Sequence, residues 1–277
     1  MFDLHVHAAP DVLERIGYDD EICAHYVAAG FSGFVLKAHN ESTVGRASAL
    51  ARSFGLDVVG GIALNHSAGG INPSAVLAAL ASGGRVVWFP TNDAHTQAAA
   101  RLPRLGDLDP RLDRAVLATP PVLAADDDKL ADIALVLDLI AEFDAVLCTG
   151  HLSGPECRWL FKEATRRGIT RFLLTHPSYT VPAMSPGEIH ELAAEGAHVE
   201  ITAYQLWHQS GMTPTMLAEV ARAAGDRLVL SSDAGQPTTP QPPQALAELV
   251  ATLAGQGLDP KWLRAAASEV PRKLVLS

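Results

Sequence analysis

The feature that most limits what this 277-residue chain can fold into is a local grammar repeated eight times. Short β-branched, apolar segments run Phe2 to His7, Gly33 to His39, Asp57 to Leu64, Arg85 to Phe89, Ala145 to Thr149, Arg171 to Thr175, His198 to Thr202 and Arg227 to Ser231. Each is followed by a polar or glycine-bearing turn and an Ala/Leu-rich stretch of helical spacing, the signature of β/α units. Helices are expected near 18–29, 42–55, 73–82, 127–143, 154–167, 186–195, 213–224 and 242–256, with another near 260–269. Ser185 before Pro186 with Glu188 beyond it, and Thr213 before Pro214, mark two helix starts, because a capping side chain precedes a proline whose missing N–H costs nothing in the first turn. Eight such units fit an α/β fold closed as a (β/α)8 TIM barrel, and residues 1–277 are the size of one such domain. An open doubly wound sheet shares the grammar, so the position of the polar chemistry must separate the two.

Composition narrows the partners. Hydrophobic residues are 48% of the chain and charged residues 19%, enough to bury a sizeable core. The net charge of -10 argues against nucleic acid and anionic membranes, which require a basic surface, and leaves a small-molecule substrate as the expected partner and a homo-oligomer open. Apolar runs such as ALVLDLIAEF are short or carry acids, and Met1 leads straight into a strand-like segment, so a soluble, cytoplasmic protein is expected. Cys23, Cys148 and Cys157 form no CxxC pair and are assigned to packing. The longest connection, 92–126, is expected to be a mouth loop or lid, since connections of that length are usually functional or disordered; a passive surface excursion is the alternative.

The histidines supply the missing discriminator. Of eleven, His5, His7, His39, His66, His95, His151, His176 and His208 fall at or just after the carboxyl ends of expected strands, where barrel active sites sit. His25, His190 and His198 fall elsewhere and are assigned to surface or packing roles. In Asp3-Leu4-His5-Val6-His7 strand alternation sends both imidazoles to one face, where two neutral rings can grip one ion; alone, such a pair is weak evidence. Thr149-Gly150-His151, Leu174-Thr175-His176 and Leu230-Ser231-Ser232-Asp233 end the fifth, sixth and eighth strands. SSDAG is also good turn sequence, and a hydrogen-bonded loop histidine is the alternative reading of His151 and His176, which the rest of the pattern disfavours.

Taken together, this HxH, His, His and Asp on strands one, five, six and eight resembles the metal-ligand pattern of the amidohydrolase superfamily, over Asp3 to Asp233. The resemblance implies that His5, His7 and Asp233 bind a first divalent metal and that His151 and His176 bind a second. Zinc is the expected ion, with manganese, iron or cobalt as alternatives. Binuclear members usually add a bridging carbamylated lysine or glutamate on strand four, whereas Val86-Val87-Trp88-Phe89-Pro90 offers neither. Lys37 ends the second strand instead, and some members supply a ligand from there, so N6-carboxylysine at Lys37 is expected; a substrate-anion contact and a structural salt bridge are the other readings. Metal-activated water would attack a C–N or C–O bond of an amide, lactam, lactone or ester, with Asp233 as general base and then acid and His176 beside it.

His39, His66, Tyr179 and Trp207 are expected to contact substrate, with Asn40, Arg46, Asn65, His95, Tyr204 and His208 as further mouth candidates. The absence of sequence before the first strand aligns the chain with compact branches lacking a flanking β-sandwich. A mononuclear decarboxylase shares HxH, His and Asp ligands and is the first alternative, discriminated by metal count. A phosphoesterase opening on DxHxH lacks the later histidines, and a non-catalytic barrel with a structural metal is the remaining class.

Overall fold

In the computed structural model, which describes residues 1–109, 111 and 119–277, eight parallel strands pair in sequence order. They are β1 (Phe2–Val6), β2 (Gly33–Leu36), β3 (Asp57–Ala63), β4 (Val86–Trp88), β5 (Val146–Cys148), β6 (Phe172–Leu174), β7 (His198–Thr202) and β8 (Leu228–Ser231). The barrel closes between β8 and β1, where Asp233 N donates to His5 O (2.8 Å) and His7 N to Ala234 O (2.9 Å). This is the (β/α)8 fold expected of the grammar. The closing seam therefore runs through three of the expected metal ligands.

Around the strands lie α1 (Asp19–Ala28), α2 (Val44–Phe54), α3 (Pro73–Ala81), α4 (His95–Ala99), α5 (Asp127–Glu142), α6 (Gly154–Arg166), α7 (Pro186–Glu195), α8 (Tyr204–His208), α9 (Pro214–Ala224), α10 (Pro242–Gly255), α11 (Pro260–Ala266) and α12 (Glu269–Leu276). Ser185 and Thr213 cap α7 and α9 by accepting from Glu188 N and Met216 N. The single helix expected near 260–269 is two, broken at Ala267 and Ser268. The second of them sends Leu274 and Val275 into the barrel, beside Phe2, Leu4, Val86 and Val229, and plugs its amino-terminal end. No helix among the described residues is long and apolar enough to cross a membrane. The three cysteines are free and buried.

Simple alternation does not explain how His5 and His7 reach the interior. Phe2 and Leu4 already point inward, which by period two would turn His5 out. The pairing of β1 with β2 steps from Asp3↔Phe34 to Val6↔Leu36, three residues against two. This bulge lets Leu4 and His5 both face in and sends Val6 to the outer core with Leu36. Bulges beside active sites commonly re-aim a side chain in this way.

Beyond β8, Asp233 has φ +50° and Gly235 has φ +134°. A Cβ on Gly235 would lie 2.1 Å from the carbonyl oxygen of His7. Gly235→Ala is accordingly expected to destabilise the fold by about 2 kcal/mol or more, from strain and backbone displacement together, read as a lowered urea midpoint at unchanged m-value. An unchanged midpoint would show that the seam gives way without cost.

Candidate metal centre and catalytic cleft

The strands end just short of the chemistry. Lys37 follows the last residue of β2, His151 and His176 stand three and two residues beyond β5 and β6, and Asp233 two beyond β8. Here the strand pairing gives out, its last rungs including Lys37 N to Val6 O (2.8 Å) and Asp233 N to His5 O (2.8 Å), and the backbone turns. His176 with φ +26° and Asp233 with φ +50° both occupy the left-handed region, where a non-glycine side chain is strained and must be held by its surroundings.

His5 Nε2 and His7 Nε2 converge on Asp233 Oδ1 at 3.1 and 3.2 Å, and the three donor atoms lie within 4.8 Å of one another. Tetrahedral zinc with ligand atoms at about 2.0–2.1 Å spaces them by about 3.3 Å, so the geometry fits one divalent ion. The rings of His5, His7, His39, His151 and His176 form a chain of neighbours, with centroids 5.2 Å apart for His5 and His7, 4.9 Å for His7 and His39, and 5.1 Å for His151 and His176. Burial pushes His7, His39 and His151 well below the usual imidazole range, the nearby cations adding to the effect, and brings His176 to about 4 against the opposing pull of Asp233 and Glu200. Neutral rings keep a lone pair, as metal ligation requires.

Partners behind the rings orient them. His5 Nδ1 donates to Glu200 Oε1 (3.1 Å), which turns Nε2 toward the centre. Glu200 is fully buried, and burial alone would raise its pKa; the His5 and His176 rings and the Ser231 hydroxyl (2.6 Å) outweigh that and bring it to about 2. His151 Nδ1 donates to Gln97 Oε1 (3.0 Å), and Gln97 is fixed in turn by donating Nε2 to Pro103 O (2.9 Å). His176 Nδ1 is buried without a hydrogen-bond partner among the described residues, and a bound ion would satisfy it. One contact fits less well: Arg15 Nη2 lies 3.3 Å from His7 Nδ1, the nitrogen that carries the proton when Nε2 holds a metal.

Lys37 is 1% exposed, with Nζ 3.0 Å from His5 Nε2 and 5.5 Å from the centre of the Trp88 ring. Burial lowers its pKa, partly opposed by Asp233 and Glu200. Asp3 sits on the outer side of the seam, where it accepts from Tyr26 Oη (2.6 Å) and Ser232 N (2.9 Å). It thereby ties β1 to the turn that carries Asp233.

The cleft above these groups lies at the carboxyl-end mouth and is partly open to solvent. His39 and Tyr179, expected to contact substrate, line it together with Tyr204, Arg15, Asn92 and Gln236. His66 and Trp207 do not: His66 is exposed on a 3-10 turn after β3, and Trp207 points outward from α8 at 37% exposure. Both lie at the correct end of the barrel, but helical geometry turns each away from the axis. His95 is engaged by Glu156 at 2.8 Å, His208 stacks on the outer side of Tyr204 at 4.4 Å, and Arg46 clamps Asp19 and Glu41. Asn65 works inside the scaffold, bonding His39 O and Thr91 Oγ1, each at 2.7 Å. Of the expected mouth segment 92–126, Asn92, Gln97, Leu102 and Pro103 line the cleft, while 110 and 112–118 lie outside the described residues.

Glu200, Gln97 and Arg15 were not anticipated as site residues. An acid in the apolar run Val199-Glu200-Ile201, at the parity of an inward position, is a signal that the sequence does carry. Gln97 stands on the short helix α4 and Arg15 in a loop, and no local pattern announces the return of either to the axis. Glu200→Gln is expected to weaken zinc binding by about 10–100-fold in chelator competition, because a neutral amide orients the His5 ring less firmly; retention of wild-type affinity would leave Glu200 without a part in the centre.

Similarity to known proteins agrees with the architecture. Solved structures with the same fold include a lactonase from Listeria monocytogenes (11% identity, TM-score 0.66, 99% of this chain and 94% of that one). A PTE-like lactonase mutant from Deinococcus radiodurans matches with 13% identity and TM-score 0.59, over 92% of this chain and 85% of that one. A beta-aspartyl dipeptidase from Fervidobacterium islandicum matches with 14% identity and TM-score 0.61, over 99% and 72%. At such identities the likeness establishes the fold. No curated protein matches the sequence. The model of a family of unknown function, DUF6282, matches residues 1–200, and the chain belongs to that family.

Proposed function

We propose that the protein is a metal-dependent hydrolase of the amidohydrolase kind that cleaves a C–N or C–O bond in a small molecule such as an amide, lactam, lactone or ester. The convergence of His5 Nε2 and His7 Nε2 on Asp233 Oδ1 at the carboxyl-end mouth carries this reading. The lactonase and dipeptidase neighbours support it by sharing the barrel. His5, His7 and Asp233 would hold a first ion, and His151, His176 and Lys37, as N6-carboxylysine, a second; zinc suits the imidazole and carboxylate donors best. A divalent ion there supplies a Lewis acid that makes water nucleophilic near neutral pH.

The chain's own groups do the rest. Asp233 Oδ1, aimed at the axis, accepts the proton of the attacking water and returns it to the leaving nitrogen or oxygen. Glu200 and Gln97 hold the His5 and His151 rings in the tautomers that face the centre. Tyr179 and Tyr204, half-buried on one wall, have phenols raised above their ordinary pKa by burial; they stay protonated and can donate to a carbonyl or leaving group. One observation favours a second reading, a mononuclear decarboxylase: among the described residues, His5, His7 and Asp233 are the one group of three or more ligand atoms within reach of a single ion. Metal analysis of the purified protein together with turnover of a lactone and amide panel separates the two. Two ions and water-dependent cleavage support the hydrolase, and one ion with release of CO₂ from a carboxylated substrate refutes it.

A further inference from the structure

We infer that Arg15 is the anion-recognition residue of the cleft and that the substrate bears a carboxylate close to the bond that is cut, a reading that rests on the hydrolase assignment above. Arg15 comes from the loop between β1 and α1, which is closed on itself by Ala9 N donating to Gly17 O (2.9 Å) and Asp19 N donating to Ala9 O (2.9 Å). Ile16 N donates to Gly235 O (2.7 Å) and docks the loop on the Asp233 turn. The geometry holds a cation at a chosen place: the Arg15 side chain is 2% exposed and still lines the cleft. Its Nε and Nη2 donate to Asp11 Oδ2 at 2.8 and 2.6 Å, while Nη1 makes no hydrogen bond among the described residues.

Two further features call for an acceptor at this spot. With an ion on His7 Nε2, the ring proton sits on Nδ1, and Arg15 Nη2 at 3.3 Å then faces another donor. An anionic oxygen beside the pair accepts from both. Among the described residues lining the cleft, Asp233 is the one carboxylate, and Arg15, whose partner Asp11 is not in the lining, is the cation outside the proposed ligand set. The planar guanidinium fork suits a carboxylate better than a lysine would. Adding an imidazole's width and a metal–nitrogen bond puts Arg15 Nη2 at most about 8 Å from the ion, so the recognised carboxylate lies only a few bonds from the scissile carbonyl.

The test compares two probes on the zinc-loaded protein by calorimetric titration: acetate, which reaches only the metal end, and succinate, which spans to Arg15. Arg15→Met is expected to weaken succinate at least about tenfold while leaving acetate within about twofold. Arg15→Lys keeps a cation beside Asp11 but loses the fork, and is expected to weaken succinate at least about threefold relative to acetate. A folded Arg15→Met that changes both affinities equally, or neither, overturns the proposal; should that variant not fold, an unchanged succinate-to-acetate ratio in Arg15→Lys does so. Binding is read without turnover. Arg15-dependent succinate binding in a protein that cleaves no amide or lactone would therefore keep the anion site and discard the hydrolase, and cleavage without that dependence would do the reverse.

Discussion

Asp233→Asn is expected to lower kcat/KM by at least about 10³-fold on whichever lactone or amide the protein turns over, with the fold intact. Asparagine is the informative replacement because Asp233 has φ +50°, a conformation asparagine tolerates and alanine does not. The backbone hydrogen bond from residue 233 to His5 O survives, so the barrel seam stays closed. What is lost is one negative charge and the proton acceptor at 3.1 and 3.2 Å from the two imidazoles. Metal content must be measured on the same sample, because Asp233 is also an expected ligand; full loading with lost activity isolates the proton-transfer role, and lost loading isolates ligation. Retention of activity within about tenfold at wild-type metal content would remove Asp233 from the chemistry altogether.

The barrel was legible because its signals are local. Every expected strand contains an observed one, and the differences are end residues such as His7, Lys37 and Thr175, where the chain turns into the mouth. His5, His7, His151, His176, Lys37 and Asp233 gather at the mouth for the same reason: each stands at the carboxyl end of an apolar run or within three residues of it. His66 and Trp207 also follow strands yet stand outside the cleft, because a short helical turn after the strand rotates them away and sequence position alone carries no rotation. The β1 bulge was hidden for a related reason, since Asp3-Leu4-His5-Val6-His7 reads as regular alternation and only the partner's register reveals the additional residue. Arg15, in the loop after β1, and Gln97, on the short helix α4, reach the axis through tertiary docking, which no periodicity encodes.

Lys37→Met is expected to reduce bound zinc from two ions per chain to one and to lower kcat/KM by at least about 10³-fold, and the reason is electrostatic. Lys37 Nζ lies 3.0 Å from His5 Nε2, and an ion on that nitrogen adds only about 2.0–2.1 Å, so an ammonium would stand within about 5 Å of a divalent cation. Even at an effective dielectric of about 20 the repulsion is about 7 kcal/mol. Removing the lysine proton at pH 7 costs about 5 kcal/mol from its unperturbed pKa. Repulsion wins, and a loaded centre obliges Lys37 to shed its charge. The neutral amine is the form that would add CO₂, giving a carbamate anion and releasing one proton; such an anion would replace repulsion by attraction and would offer oxygen donors to a metal. Protein loaded with zinc in ¹³C-bicarbonate is expected to show a carbamate resonance that is missing from Lys37→Met. Wild-type protein that holds a single ion and gives no such resonance would leave Lys37 a neutral amine and move the assignment to the mononuclear decarboxylase.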